Sequence, residues 1–392
     1  MTSGTEVLYH RCERAKAEMI TLWERLVNID SGSKYGKGLT QVGLLLMEEL
    51  RALGAEIQQH HLPEGNQGFH IVASFRGSGK GSILLLAHMD TVFPEGAAKL
   101  RPFKIEDGKA YGPGVSDCKG GIMLCLQALR NIKEMKFLDF GKITCIFNCD
   151  EEIFSPDSRA IIQSQAQTHS YTLCIEPGSV DDGVVTWRKG GAVLTIEVTG
   201  RAAHAGAAPE KGRNAAMELI NQITRLSKLE DKSKLTTINF TVMRAGERTN
   251  VIPDYAIAQA DIRALYPEEF SRLELAANEI AGQRIIPDTE VKIGIIKNNP
   301  PFSPSELTDQ LAQKAAQIYG ELGRTLKTTG EGGISDANWA AAAGSIVIDG
   351  LGPVSRRAHT DKENADAESI VPRLYLLTRL LMELGRSDVI GA

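Results

Sequence analysis

Ile83-Leu84-Leu85-Leu86-Ala87-His88-Met89-Asp90 is an apolar run that stops abruptly at a histidine and an aspartate two residues apart. Flanked by Gly77 to Gly81 and by Pro94, a run this short reads as a strand buried on both faces that carries His88 to its C-terminal edge. In an open α/β sheet that edge is where ligands bind. As the strand opens into a loop, Asp90 can turn to hydrogen-bond the ring of His88, and a carboxylate behind an imidazole is how a metal ligand is oriented. A core histidine satisfied by a nearby acid explains the same residues, so the rest of the chain has to decide.

Outward from this strand, helical periodicity covers about Glu13 to Val27 and Thr40 to Leu53, with strands near Ala55 to His61 and His70 to Phe75. After the Gly-rich stretch Gly112 to Gly121 come a helix containing Met123, Leu126 and Leu129, a strand Ile143 to Phe147, a short helix from Ser158 and a strand Tyr171 to Ile175. Strands alternating with helices predict a layered, mostly parallel α/β sheet. The pattern changes after Trp187. Strand 191 to 199, helix 214 to 226, strands 237 to 243 and 255 to 263, helix 267 to 281 and strand 290 to 296 follow in the order of a ferredoxin-like unit. The α/β character then resumes, with helices from Ser305 and after Ser335, a strand Ser345 to Ile348 and a closing helix from Ala367 to Leu384. The expected division is a domain of residues 1–188 and 300–392 interrupted by an inserted α+β domain, residues 189–299.

The length of 392 residues suits two domains. A net charge of -5 with no basic run argues against nucleic acid and against an anionic membrane surface. The stretch Met1 to Val7 lacks a basic start leading into an apolar segment, and no apolar run approaches the length of a membrane span. The 6 cysteines fall without Cys-x-x-Cys spacing and fit reduced thiols, which points to the cytoplasm. Cys118 and Cys149 lie beside acids and can be soft ligands, although a small buried apolar role fits each better.

Further residues join His88 just after strands or in glycine-rich loops. Asp117 stands in Gly112-Pro113-Gly114-Val115-Ser116-Asp117-Cys118-Lys119-Gly120-Gly121, where it can be a helix N-cap. Asp150, Glu151 and Glu152 follow an apolar strand, and consecutive acids there need a compensating cation or open solvent. Glu176 ends the strand Tyr171 to Ile175, and His359 lies in the loop Arg357-Ala358-His359-Thr360-Asp361. Taken together they form a nitrogen and oxygen donor set suited to zinc, or to cobalt or manganese. Two imidazoles with three carboxylates exceed what one tetrahedral ion with an open position takes, and suit two ions sharing a carboxylate and a water.

With these motifs in view, the sequence resembles the aminoacylase and glutamate-carboxypeptidase family of di-zinc metallopeptidases over nearly its whole length. The motifs that carry the resemblance are His88-Met89-Asp90, Gly114-Val115-Ser116-Asp117-Cys118-Lys119-Gly120-Gly121, Asp150-Glu151-Glu152, Glu176-Pro177 and His359, in that order. It implies one zinc on His88 and Glu176, a second on Glu152 and His359, Asp117 bridging them, Asp90 orienting His88 and Glu151 as general base. It also implies a cis peptide at Asp117-Cys118, where Cys118 departs from the Asp or Ala more usual in the family. In the inserted domain, read as lid and dimerisation module, His204 of Ala203-His204-Ala205-Gly206 resembles the histidine that reaches across a homodimer to the oxyanion. As a surface loop residue it has a plainer reading. Asn250, Arg263 and Gly333 resemble the groups that receive a substrate's free carboxylate, and Arg263 also reads as the solvated end of a strand.

The branch most similar is that of the bacterial glutamate carboxypeptidases, whose C-terminal stretch resembles His359 to Asn364 and Pro372 to Tyr375 here. At Val184 and Asn299 the chain departs from the basic residues that those enzymes hold near the substrate side chain. The expected activity is metal-dependent hydrolysis of an amide bond in a small peptide or N-acyl amino acid, releasing a C-terminal amino acid. An N-acyl amino acid deacylase of the desuccinylase or acetylornithine-deacetylase kind is the alternative, and a catalytically silent, metal-stabilised binding module is a third reading.

Overall fold

A computed structural model describes residues 4–63 and 68–386; Met1–Ser3 of the N-terminal stretch lie outside the described residues. The chain divides into two units: residues 1–187, 304–331 and 335–392 form the first, and residues 188–303 with 332–334 the second. Gly333 therefore groups with the second unit, where the Arg188 guanidinium donates to its carbonyl at 3.4 Å.

The first unit is built on a six-stranded sheet: β1 (Glu56–His61), β2 (Phe69–Arg76), β3 (Ser82–His88), β6 (Lys142–Asn148), β7 (Tyr171–Cys174) and β16 (Ile346–Ile348), in the order β1-β2-β6-β3-β7-β16. The pairings β6-β3, β3-β7 and β7-β16 are parallel, while β1-β2 and β2-β6 are antiparallel. The apolar run of β3 is buried along both faces, as a central strand covered by helices requires. Helices Lys119–Glu134 and Ile370–Gly385 are buried over most of their length against this sheet's core. The first helical stretch begins earlier than its periodicity suggests, as two helices, Gly4–Arg14 and Lys16–Val27, that meet at Ala15; Leu8 and Cys12 already face the core.

Parallel pairing fixes where the strand ends fall. His88 lies in register with Asn148, and Leu86 with Cys174, so β3, β6 and β7 finish at one edge of the sheet. A smaller sheet in the order β17-β18-β5-β4 joins β17 (Ser355–Arg356), β18 (Asn364–Asp366), β5 (Lys109–Tyr111) and β4 (Lys104–Glu106). It fastens the segment containing His359 beside the loop that leads to Asp117. β8 (Gly183–Arg188) pairs with β15 (Lys327–Glu331).

The second unit holds β9 (Gly190–Thr199), β11 (Thr237–Ala245), β13 (Tyr255–Ala264) and β14 (Glu290–Asn299) in an antiparallel sheet of order β11-β13-β9-β14, the ferredoxin-like arrangement. Alternation in β13 turns Ala256, Ala258, Ala260 and Ile262 into a core that helices Ala215–Leu226 and Pro267–Ala281 complete. Asn214 caps the first of these helices, its side chain accepting from the amides of Ala216 and Met217. A short ladder of β10 (Ala203–His204) and β12 (Val251–Ile252) projects from the same unit. Among the described residues no helix is long and apolar enough to cross a membrane.

Candidate metal centre

His88 ends β3, Glu151 and Glu152 open a single 3-10 turn just after β6, and Glu176 follows β7 by two residues. The common sheet edge thus brings together side chains from distant parts of the sequence. Asp117 arrives from the turn before helix Lys119–Glu134, and the peptide joining it to Cys118 is cis. His359 comes from the loop between β17 and β18.

The two Asp117 oxygens are divided between the two imidazoles. Oδ1 lies 2.9 Å from His88 Nε2, and Oδ2 lies 3.1 Å from His359 Nε2. His359 Nε2 is also 3.2 Å from Glu152, and His88 Nε2 is 3.6 Å from Glu176. Behind the ring, His88 Nδ1 is 3.0 Å from the Asp90 carbonyl and 3.3 Å from its carboxylate. The carbonyl is thus nearer than the carboxylate partner expected from the sequence. The Asp90 carboxylate accepts from the amides of Glu151 at 3.2 Å and Glu152 at 3.1 Å, and from the Ser33 hydroxyl at 2.7 Å.

The electrostatics of this cluster call for positive charge. Burial works against a charged His88, which is only 1% exposed, yet Glu176, Asp117 and Asp90 lift it well above the usual imidazole range. Hydrogen bonds to Asp117 and Glu152 raise His359 to about 10. Burial would raise Asp117, but the same two imidazoles pull its carboxyl below the ordinary range. Withdrawal from water lifts Glu151 well above the carboxylate norm; His88 opposes this, while Glu176, Asp336 and Glu152 add to it. Burial likewise raises Glu152, whose Oε1 is buried with no hydrogen-bond partner. Crowded carboxylates that lift two imidazoles, and an orphaned carboxylate oxygen, are what a divalent cation would relieve, so the residues present fit such an ion. His88, Asp117 and Glu152 offer donor atoms close enough to share one ion, as do His88, Cys118 and Glu176. Cys118 donates its thiol to the Ile175 carbonyl at 3.1 Å, and burial pushes that thiol's pKa up. Cys149 is buried against His70, its amide 3.3 Å from Nδ1.

A cavity of about 550 Å³ adjoins the glutamate turn, lined by Tyr35, Val92, Phe93 and Ile153 together with Glu152. Sequence reasoning passed over three acceptors or donors of this region: Ser33, Glu363 and Asp336. Asp336 is buried in the first unit, accepting from Asn148 at 2.7 Å and from the Ser155 hydroxyl, and burial raises its carboxyl to about 7. No local spacing signals such a residue, because its partners come from segments far away in the chain.

The remaining candidates belong to the second unit. His204 and Asn250 are neighbours through the β10-β12 ladder, with the Ala205 amide donating to the Asn250 carbonyl at 2.9 Å, and both are exposed. His204 Nδ1 accepts from the amides of Gly206 and Ala207, which leaves the ring proton on Nε2. Arg263 pairs with Asp261 at 2.9 Å, across the ladder from Gly191. Val184 and Asn299 are buried, and Asn299 Oδ1 has no hydrogen-bond partner among the described residues.

A family model described as peptidase family M20/M25/M40 matches residues 84–383. Carboxypeptidase G2 of Pseudomonas sp. (strain RS-16) is 37% identical over 382 residues, covering 97% of this chain and 92% of that protein. Acetylornithine deacetylase of Proteus mirabilis (strain HI4320) is 32% identical over 235 residues, which cover 56% of this chain and 59% of the relative. Among solved structures, aminopeptidase PepT from Bacillus cereus ATCC 10987 shares the fold with a TM-score of 0.80 at 22% identity, over 94% of this chain and 98% of its own.

Proposed function

The chain belongs to peptidase family M20/M25/M40, and from that premise we propose that it is an exopeptidase that hydrolyses the amide bond between an acyl group and a C-terminal amino acid. Membership makes it a hydrolase and implies a divalent metal ion. The observation that carries the finer reading is the two-sided Asp117, one oxygen toward His88 and the other toward His359, as befits a carboxylate shared by two cations. On this reading two zinc ions, for which cobalt or manganese could substitute, would be held by His88 and Glu176 on one side and by Glu152 and His359 on the other, with Asp117 serving both. Ions bound there supply Lewis acidity, which acidifies water and polarises a carbonyl.

The protein's own groups do the rest. Glu151 takes a proton from the attacking water onto its carboxylate and passes it to the leaving nitrogen, so the amine departs neutral and the base is regenerated. Asp90 keeps the His88 ring and the glutamate turn in fixed relation. His204, with its ring proton on Nε2, is assigned to the developing oxyanion, a donor role worth about 3 kcal/mol. Asn250, Arg263 and the Gly333 loop are assigned to the free carboxylate of the substrate.

A homodimer through the second unit completes this reading. Its support is the edge strand β11, where Val242 and Met243 are exposed at 37% and 56% beside an unpaired backbone edge. Sedimentation velocity giving only monomer at micromolar concentration would rule that assembly out. The cavity beside Glu152 mixes Tyr35, Val92 and Phe93 with Lys34 and Glu95, so it offers an acyl group both apolar and charged contacts, and with Val184 and Asn299 uncharged a glutamate side chain would depend on Arg188 or Lys189 for a cationic partner. Cytoplasmic residence accords with six free, buried cysteines. N-acyl amino acid deacylation is the second reading, favoured by the likeness to the Proteus mirabilis acetylornithine deacetylase.

The test compares wild type and Glu151→Gln on dipeptides, N-acyl amino acids and their C-terminal amides. The variant is expected to keep its metal by elemental analysis while turnover falls by about 10²- to 10⁴-fold. Capped substrates should be cleaved more slowly than free acids. Undiminished turnover removes Glu151 from the base role, and equal cleavage of capped and free substrates removes the carboxylate requirement.

A further inference from the structure

Four residues beyond His359, and resting on the reading of His359 and Asp117 as metal ligands, stands an acid that belongs to neither ligand set nor base. Glu363 is 1% exposed. Its Oε1 accepts from the Ser116 amide at 2.9 Å, the Ser116 hydroxyl at 2.9 Å and the Asp117 amide at 3.1 Å, while Oε2 accepts from the Gly114 amide at 3.0 Å. A single buried carboxylate thus gathers the backbone donors of the turn that presents Asp117. It does so from the segment that presents His359.

The two loops differ in how much else holds them. The Asp117 turn has independent tethers: the Trp23 indole donates to the Val115 carbonyl at 2.7 Å, and the Lys119 amide to the Gly114 carbonyl at 3.1 Å. The His359 loop is exposed or only half-buried from Arg356 to Lys362, and burial resumes at Glu363. Within it Arg357 and His359 adopt left-handed backbone conformations, with φ of 61° and 63°. Such conformations cost on the order of 1 kcal/mol each outside glycine and persist only where the surroundings over-determine them. Above the β17-β18 ladder at its base, the loop's Thr360 and Asp361 carbonyls receive the Glu363 amide at 3.1 Å and the Arg101 guanidinium at 2.9 Å, and neither contact reaches the Asp117 turn.

We propose that Glu363 is a positioning residue that sets the separation between His359 and Asp117, and so the affinity of the ion that His359 helps to hold. Because the Asp117 turn keeps its other tethers, loss of the Glu363 carboxylate displaces chiefly His359. The ion on His88 and Glu176 is affected less. Glu363→Gln retains the shape but turns an NH₂ group toward amide donors, leaving at least one of them unmatched. Ser116→Ala removes one donor to the same carboxylate and nothing else.

The experiment titrates Zn²⁺ into metal-stripped, full-length protein by calorimetry, with thermal unfolding of the metal-free forms alongside. Wild type is expected to take two equivalents, and His359→Ala to lose one. Glu363→Gln should weaken that same equivalent about 10- to 100-fold, the usual scale for groups that orient ligands, and leave the other within a few-fold. Ser116→Ala should shift it in the same direction by less, and decides the matter if Glu363→Gln does not fold. A lowered unfolding temperature with both zinc affinities intact would mean a merely structural carboxylate and would overturn the proposal. Two full equivalents in His359→Ala would instead overturn the ligand reading on which it rests.

Discussion

Asp90, just past β3, ties the turn at Ser33 to the glutamate turn after β6 through its carboxylate, while its carbonyl meets the ring of His88. Replacing it by Asn keeps the size but converts one acceptor into a donor facing N–H or O–H groups, which leaves a buried donor unmatched at a cost of about 1 to 3 kcal/mol. Asp90→Asn is therefore expected to lower the unfolding temperature and to weaken divalent metal binding by about 10- to 100-fold. Metal titration of the variant checks this, and an unchanged affinity would confine Asp90 to local packing. That Asp90 lies beside the ring of His88 is readable from two residues of spacing, although its carbonyl at 3.0 Å is nearer the ring than its carboxylate at 3.3 Å. Its bonds to the Glu151 and Glu152 amides are not, because they depend on which strand the sheet places beside β3.

At the scale of elements, the apolar runs of β3, β6 and β7 announce themselves, since a strand buried on both faces needs no polar alternation. The strands β4, β5, β17 and β18 have two or three residues each, too few for any period, so the sheet that brings the His359 segment to the Asp117 turn is invisible in the sequence. Gly121 shows how an element is fitted to its neighbour. It lies in the first turn of helix Lys119–Glu134, where alanine ordinarily gains about 1 kcal/mol over glycine. A Cβ at Gly121 would fall 2.1 Å from the Ile175 carbonyl oxygen and 3.0 Å from Cys118 Sγ. Backbone must move to admit it, an overpacking cost of about 1 to 3 kcal/mol that outweighs the propensity gain. Gly121→Ala is expected to destabilise the protein in urea unfolding and to reduce activity, because the displaced carbonyl immediately precedes Glu176. A variant more stable than wild type would show that this contact is slack.

For the molecule as a whole, acid sensitivity has an identifiable contributor away from the metal centre. His169 is buried, its Nδ1 donating to the Gln165 carbonyl at 2.6 Å and its Nε2 accepting from the Thr144 hydroxyl at 2.9 Å. Burial lowers its pKa to about 4 from an ordinary 6.5. The folded state therefore resists protonation: this contribution is complete above about pH 6.5 and is lost as pH falls toward 4, because the unfolded chain takes up the proton first. Between pH 7 and 4.5 it amounts to about 2 to 3 kcal/mol. Denaturant unfolding at the two pH values should show a steeper decline for wild type than for His169→Gln by about that amount, and parallel declines would exclude His169 as the source.

The division of the chain also has a consequence in time. Every strand of the second unit's sheet lies within residues 190–299, so that sheet can close as soon as this stretch has left the ribosome. The first unit has to wait for β16 and for the helix Ile370–Gly385, which emerge after that stretch, and His359 emerges only shortly before that helix. On the proposed ligand set, the second cation site is thus complete only once His359 has emerged.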